Sequence, residues 1–425
     1  MQGTPDKPVK KLMHTRPMDS KRPPPSSIAV LHTHRHGLIR TLGAIAVVCL
    51  CGCSTMWQRA GDEPAAPVVT VPMAAAPASA PAEPAKSSSL PLLKVAPLPL
   101  PIAPGPGSLA LHPQMPALAD QLAGQFQLDP AWVTSVIARG QSSEQVARLI
   151  MPASNPGAKN WAAYRARFIE PIRIKAGLQF WRANEAHLKR AESVYGVPAD
   201  IIAGIIGVET LYGRYTGQFR VLDALGTLSL DFPKGRSDRS AFFRAELGQF
   251  LRLCAEQNTD PLSVLGSFAG AIGLPQFMPS SIRRYAVDFD GDGHIDLRNS
   301  EADAIGSVAH YLAQSGWRPG VPTHYTVTPP VDDAARQKML APDILPTFSA
   351  PDMQSQGAVL DDLGQQHTAG PLALVLLYNG SAEPTYVAGT ANFYAITRYN
   401  QSSYYALAVI ELGRALTDAF KAPKS

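Results

Sequence analysis

The chain has 425 residues, of which 45% are hydrophobic and 17% charged, which is enough apolar material for a large core and two or three domains. Its formal net charge is +4, but residues 1–52 hold eight Lys and Arg against two Asp, so the rest of the chain carries −2. A mildly acidic body has no electrostatic reason to bind nucleic acid. Cys254 is the single cysteine after Cys53, so the fold must rest on core packing and not on disulfides.

The first 53 residues predict an export signal. A basic flank precedes the apolar run 41–50, which ends in Leu50-Cys51-Gly52-Cys53. This arrangement is typical of a secretory signal, and the run is too short to span a membrane as a stable helix. The ending resembles the bacterial lipobox, which implies that Cys53 is lipidated and, with Ser54 after it, that the chain is an outer-membrane lipoprotein facing the periplasm. A plain secretory signal with incidental cysteines is the alternative.

Residues 54–116 predict a tether. They are rich in Pro, Ala, Ser and Val, carry few charges and show no steady hydrophobic period, so they cannot bury a core. About sixty such residues would reach roughly 45 Å as a flexible coil and roughly 190 Å as an extended polyproline helix. This reach would suit an anchored protein whose target lies away from the membrane. A linker with no length requirement is the alternative.

Residues 117–425 have a globular composition with mostly helical patterns. The predicted helices are Leu118–Phe126, Glu144–Met151, Trp161–Asn184, Glu185–Tyr195, Ala199–Arg214, Ser240–Glu256, Glu301–Ser315 and Ser403–Phe420. Around 322–390 the pattern changes, because His324–Thr328, Leu372–Leu377 and Tyr386–Gly389 are β-like. The expected fold is mainly α (α+β), with a small β subdomain in a helical body.

The segment Asp200–Gly213 places an acidic residue on an apolar helix face. Four residues at i, i+3, i+7 and i+10 share that face: Ile202, Ile205, Glu209 and Tyr212. Burying a charged carboxylate is costly, so the pKa of Glu209 should rise, and a general acid needs such a group near neutral pH. On these residues alone, a buried Glu neutralised by Arg214 or Arg220 is the alternative.

Four long segments follow one another through the body. They are Tyr195–Gly213 (YGVPADIIAGIIGVETLYG), Leu222–Leu230 (LDALGTLSL), Gly266–Asp296 (GSFAGAIGLPQFMPSSIRRYAVDFDGDGHID) and Asn392–Gly413 (NFYAITRYNQSSYYALAVIELG). Together they resemble the membrane-bound lytic transglycosylase B family, and the similarity runs from about Ala117 to near the C-terminus. The resemblance implies a lysozyme-like catalytic core with an additional helical region and a small β part.

The resemblance also implies an enzyme that cleaves peptidoglycan between N-acetylmuramic acid and N-acetylglucosamine without water. Glu209 would protonate the leaving oxygen and then act as base while the sugar's own 6-hydroxyl attacks, which leaves a 1,6-anhydromuramic end. A second catalytic carboxylate is then dispensable, and no other carboxylate lies on such an apolar stripe. The alternatives are a hydrolytic muramidase on the same fold and a non-catalytic peptidoglycan-binding scaffold.

A sugar groove follows from the same resemblance. Six residues match groove positions of the family: Tyr164, Ser267, Gln276, Phe277, Tyr311 and Tyr399. Amide and hydroxyl groups suit sugar hydroxyls and acetamides, and aromatic faces suit the apolar sides of sugar rings. Without the resemblance these residues would be ordinary packing. Leu274-Pro275, and Lys234 after Pro233, depart from the family pattern and leave details of substrate fit open.

The segment Asp288–Asp296 begins like an EF-hand loop. Carboxylates occupy positions 1, 3, 5 and 9 and Gly291 occupies position 6, but position 12 is Asn299 and not the bidentate Glu. The family uses a longer loop, here 288–303. The resemblance therefore implies one structural Ca²⁺ held by Asp288, Asp290, Asp292, Asp303 and the backbone carbonyl of His294. An empty acidic turn is the alternative, and no organic cofactor is expected.

Overall fold

The computed structural model describes residues 92–98, 104–151, 159–366 and 370–422. The predicted signal region with its lipidation residue Cys53, and most of the predicted tether, lie outside these residues. The described part is mainly helical with small sheets, which confirms the predicted fold class.

Sixteen α-helices and six strands lie within the described residues. The first eight helices, α1–α8, are Met115–Phe126, Pro130–Ile137, Glu144–Leu149, Trp161–Arg165, Pro171–Ala183, Glu185–Tyr195, Ala199–Thr210 and Val221–Leu230. The other eight, α9–α16, are Ser240–Glu256, Pro279–Tyr285, Glu301–Gln314, Asp333–Leu340, Ala350–Ser355, Asp362–Gln366, Ala391–Tyr399 and Ser403–Lys421. The strands β1–β6 are Phe219–Arg220, Leu265–Gly266, His324–Thr328, Val359–Leu360, Ala373–Asn379 and Ala382–Gly389.

Helix α7 lies at the centre of the first of two helical cores. Nine of its 12 residues are buried, mainly against α5, α6, α11 and α16. A Cβ on Gly204 would lie 2.5 Å from the carbonyl oxygen of Val409, and one on Gly413 would lie 2.5 Å from that of Asp200. Glycine is therefore required at both positions, and the pair fixes α7 against α16.

The second helical core is built from α1, α2, α8 and α9 with the loops that follow α9. It begins before the predicted tether ends at Pro116, because Leu109 and Met115 are buried in it. The backbone N–H of Leu93 also donates to the carbonyl of Gln127 at 3.0 Å. Only scattered apolar residues attach the end of the predicted tether to this core. The composition of that segment therefore remains similar to that of a linker.

A four-stranded antiparallel sheet with the order β4-β3-β6-β5 occupies the predicted β region. Side chains alternate between its two faces: Val375 and Val387 join the first helical core, whereas Leu374 and Ala388 join a small core of their own with Tyr325. The sheet is thus attached to the helical body through one buried face.

Two predicted helices differ from the structure. The prediction of one helix over Trp161–Asn184 was wrong, because Pro171 begins a second helix and the Glu170 carboxylate caps it, accepting the N–H of Ile172 and of Arg173 at 2.7 Å. The helix predicted to reach Arg214 ends at Thr210, so Tyr212 does not share its face.

Among the described residues, no single helix is long and apolar enough to cross a membrane, although the bent pair α6 and α7 meets both criteria together.

Candidate active site

The C-terminal end of α7 presents Glu209. The two residues that follow the helix, Leu211 and Tyr212, have left-handed backbones with φ of 50° and 57°. That conformation costs about 1 kcal/mol or more for a non-glycine residue, so tertiary contacts must hold it. One such contact is the hydroxyl of Thr210, which donates to the carbonyl of Leu274 at 2.9 Å. Another is the guanidinium of Arg173, which donates to the carbonyl of Gly207.

Glu209 is half-buried, and its Oε1 accepts a hydrogen bond of 2.6 Å from the hydroxyl of Tyr405. Burial raises the pKa of its carboxyl from 4.5 to about 7, and the Tyr405 hydrogen bond opposes part of that rise. The arginines considered from sequence do not neutralise it, since Arg220 pairs with Asp223 at 2.7 Å and Arg214 is exposed. The raised pKa predicted from the helix pattern is therefore present.

Glu209 lies in the wall of an open cleft. Four of the six predicted groove residues also line it: Tyr164, Ser267, Gln276 and Tyr399. Gln276 has a left-handed backbone, φ 50°, and its amide Nε2 donates to the carbonyls of Thr216 at 3.1 Å and Gly273 at 2.8 Å. The Tyr399 hydroxyl donates to the carbonyl of Pro275. These bonds fix amide and aromatic groups at the cleft surface.

Phe277 and Tyr311 do not line the cleft. Phe277 is 2% exposed, and its ring packs against those of Tyr311 and Tyr399 with centroids 5.5 and 5.7 Å apart. The Tyr311 ring lies 4.9 Å from that of Tyr399. These two residues therefore support Tyr399 from behind.

Sequence reasoning missed several residues that line the cleft: Phe168, Arg173, Tyr215, Arg236, Arg239, Asn400 and Tyr405. Tyr405 and Asn400 lie inside the segment Asn392–Gly413, so the signal was present, but Tyr404 and Tyr405 are adjacent and sequence does not tell which faces Glu209. Arg173 follows Pro171 on α5, and nothing local connects it to α7. Both assignments required the packing of distant helices.

The acidic loop brings three carboxylates together. Ligand oxygens of Asp288, Asp290 and Asp303 lie within 4.8 Å of one another. Asp303 is 1% exposed, and its oxygens accept the N–H of Phe289 at 2.7 Å and of Asp296 at 2.8 Å, which ties the loop to the first turn of α11. Asp292 and His294 are exposed beside this cluster. A hard cation that prefers oxygen ligands fits this donor set.

A helical body around a cleft that holds one protonatable carboxyl together with amide, hydroxyl and aromatic groups is the arrangement of a glycan-cleaving enzyme. The Transglycosylase SLT domain family model matches residues 111–414, and the chain belongs to this family. It is a lytic murein transglycosylase with a lysozyme-like fold, as its relatives are.

The relatives cover most of the chain. Membrane-bound lytic murein transglycosylase B of Escherichia coli is 38% identical over 320 residues, which are 73% of this chain and 84% of that protein. The soluble lytic transglycosylase SltB1 of Pseudomonas aeruginosa is 40% identical with a TM-score of 0.65, over 73% of this chain and 100% of that chain. Escherichia coli Slt35, solved in complex with calcium, is 38% identical with a TM-score of 0.63, over 74% and 96%.

A structure with lower sequence identity was solved with a bound ligand. SltB3 of Pseudomonas aeruginosa, solved in complex with NAG-NAM-pentapeptide, is 28% identical with a TM-score of 0.59, over 73% of this chain and 80% of that chain.

The raised pKa of Glu209 predicts that the free energy of unfolding depends on pH. Between pH 4.5 and about 7 the folded state keeps a proton that the unfolded chain has lost, so stability falls as the pH rises. Relative to Glu209→Gln, the wild-type free energy of unfolding should therefore fall by at most about 3 kcal/mol between pH 4 and pH 8.5. Urea unfolding of both proteins at the two pH values measures this, and a difference that is independent of pH would mean an ordinary pKa.

Proposed function

We propose that this transglycosylase cuts the bond between N-acetylmuramic acid and N-acetylglucosamine in peptidoglycan glycan strands, with Glu209 as its acid and base. The observation that carries the proposal is a carboxyl with a pKa of about 7 in the wall of the cleft. Near neutral pH such a group is protonated part of the time, so it can donate a proton and later recover one. Because donation needs the protonated form, the rate should fall as the pH rises through about 7.

The reaction divides into two proton transfers. Glu209 first gives its proton to the glycosidic oxygen as the bond from that oxygen to C1 of the muramic acid breaks. The resulting carboxylate then takes the proton of the 6-hydroxyl on the same sugar while that oxygen bonds to C1, which closes the 1,6-anhydro ring. Tyr405 donates to Oε1 throughout, so it stabilises the carboxylate formed between the two steps.

The composition of the cleft favours this route over hydrolysis. Glu209 is the only Asp or Glu among the described residues that line it. Glycoside hydrolysis ordinarily uses a second carboxylate, either as nucleophile about 5 Å away or as a water-activating base about 6.5–9.5 Å away. When the substrate supplies the nucleophile, that second group is not needed. The non-catalytic scaffold is disfavoured because it gives no reason to keep a costly buried carboxyl.

Tyr164, Ser267, Gln276 and Tyr399 are proposed to contact the sugars, with Phe277 and Tyr311 acting through Tyr399. Their positions around Glu209 in one cleft support this. The NAG-NAM-pentapeptide in the related SltB3 structure supports a glycan strand as the occupant.

Mass spectrometry of the products released from purified peptidoglycan tests the reaction. The chain without residues 1–53 should release fragments with anhydromuramic ends, and Glu209→Gln should reduce this release at least about 1000-fold because the acid is lost. Glu144→Gln, the same exchange at an exposed position of α3, is the control and should leave activity unchanged. Reducing muramic ends would mean that water is the acceptor, and no product from any of the proteins would favour the scaffold.

A single structural Ca²⁺ in the loop 288–303 is the second part of the proposal. Asp288, Asp290 and Asp303 supply carboxylate oxygens, and Asp292 with the carbonyl of His294 would bring the set toward the six or more ligands that Ca²⁺ takes. The calcium in the related Slt35 structure supports this. The ion would neutralise the clustered carboxylates and brace the start of α11.

Calcium should therefore raise the melting temperature. At 1 mM Ca²⁺ the shift should be on the order of 5 °C, which corresponds to about 2 kcal/mol for a domain of this size. Asp290→Asn should remove the shift, whereas Asp120→Asn, which removes an equal charge at an exposed position of α1, should retain it. Differential scanning calorimetry with and without a chelator measures both, and an unshifted wild type would refute the metal site.

The third part of the proposal is an outer-membrane lipid anchor on Cys53. The lipobox-like ending of the predicted signal supports it, as does a relative that is named as membrane-bound. The tether would then let the catalytic body reach glycan strands away from the membrane surface.

Metabolic labelling with a palmitate analogue tests the anchor. The wild-type chain and Cys51→Ala should be labelled and fractionate with the outer membrane, because only Cys53 can become the first residue of the mature lipoprotein. Cys53→Ala should remain unlabelled at precursor mass. Labelling of Cys53→Ala would refute the anchor.

A further inference from the structure

Tyr164 reaches the cleft on a very short helix. Helix α4 has only five residues, and a helix of that length has no stability of its own in water. The Asn160 side chain caps it by accepting the N–H of Ala163 at 2.9 Å, and the Tyr164 ring packs against Phe168 at 5.1 Å between centroids. The position of Tyr164 must therefore depend on what holds α4.

The end of strand β5 provides one such support. The side-chain Oδ1 of Asn379 accepts the N–H of Ala162 in α4 at 3.1 Å, and the N–H of Gly380 donates to the carbonyl of Lys159 at 3.1 Å. The amide Nδ2 of Asn379 donates to the carbonyl of Glu383 at 2.9 Å and to the hydroxyl of Thr385 at 3.1 Å. One side chain thus closes the β5–β6 hairpin and binds α4.

The residue before Asn379 binds α16, which lines the cleft through Tyr405. The N–H of Tyr378 donates to the hydroxyl of Tyr404 at 2.7 Å, and that hydroxyl donates back to the carbonyl of Tyr378 at 3.2 Å. Tyr405, next along α16, donates to Glu209. Consecutive residues of β5 therefore connect α4, which carries Tyr164, with α16, whose Tyr405 donates to the carboxylate of Glu209.

We propose that Asn379 is a positioning residue for substrate binding, which holds α4 so that Tyr164 stays at the cleft wall. None of the described residues that line the cleft comes from β3–β6, so any effect of the sheet on substrate binding is indirect, and this contact is a direct link from the sheet to a helix that lines the cleft. The inference rests on the proposed contact between Tyr164 and the sugars.

Steady-state kinetics on glycan strands from purified peptidoglycan, with a double-mutant cycle, tests the proposal in the full-length chain. Asn379→Ala should raise KM about fivefold with kcat within about twofold, because Tyr164 then occupies its binding position only part of the time. Thr385→Val removes a partner of Asn379 inside the hairpin and leaves the bond to α4, so its KM should be unchanged. In a Tyr164→Ala background, Asn379→Ala should have no further effect on KM.

Amide hydrogen exchange supplies a readout apart from activity. Asn379→Ala should speed exchange in the peptide 159–168 and leave the peptide containing Glu209 unchanged, which also shows that the variant is folded. An unchanged exchange rate in 159–168, or an Asn379→Ala effect that persists in the Tyr164→Ala background, would overturn the proposal. If Tyr164→Ala alone leaves KM unchanged, the sugar contact of Tyr164 fails and the inference with it, whereas products that depend on Glu209 would still support the proposed function.

Discussion

Helix α7 has to be buried on nearly every side, because its residues are almost all apolar, and yet its last turn has to expose a carboxyl to a large substrate. The structure reconciles these demands by ending the helix one residue after Glu209 with a left-handed turn. The carboxyl then stands where the core stops and the cleft begins. Desolvation by the core on one side raises its pKa, while the open side leaves room for the glycosidic oxygen that we propose it protonates. The other residues that line the cleft surround this carboxyl.

The cleft follows the seam between the two helical cores. Glu209 belongs to a helix of the first core, whereas Ser267 and Gln276 lie on loops that pack with the second. Tyr311 and Tyr399 contact both cores, and their rings meet edge to face at the seam. The groups of the site are therefore held by two packed cores, and the two tyrosines contact both of them.

A mechanism that uses the sugar's own 6-hydroxyl demands accurate placement of the substrate. In the proposed mechanism the protein contributes one proton carrier and no nucleophile, so the orientation of the muramic acid ring must supply much of the acceleration. That demand explains why groups around the cleft are held by several partners each, as Gln276 is by two carbonyls. The small sheet extends the same principle, because the end of β5 binds both α4 and α16, two helices that line the cleft.

The amino-acid sequence by itself determined what depends on neighbouring residues. The 3.6-residue period located most of the helices, with α6 and α9 at their observed bounds, and the apolar face around Glu209 indicated a raised pKa. The spacing of Asp288 and Asp290 likewise marked the acidic loop. Only the tertiary structure decided which tyrosine reaches Glu209, that Phe277 and Tyr311 stand behind the cleft, and that Asn379 holds α4. The contacts of Tyr405 with Glu209 and of Asn379 with α4 join residues 196 and 217 positions apart in the chain. Such contacts arise when separate elements pack, so no local period in the sequence carries information about them.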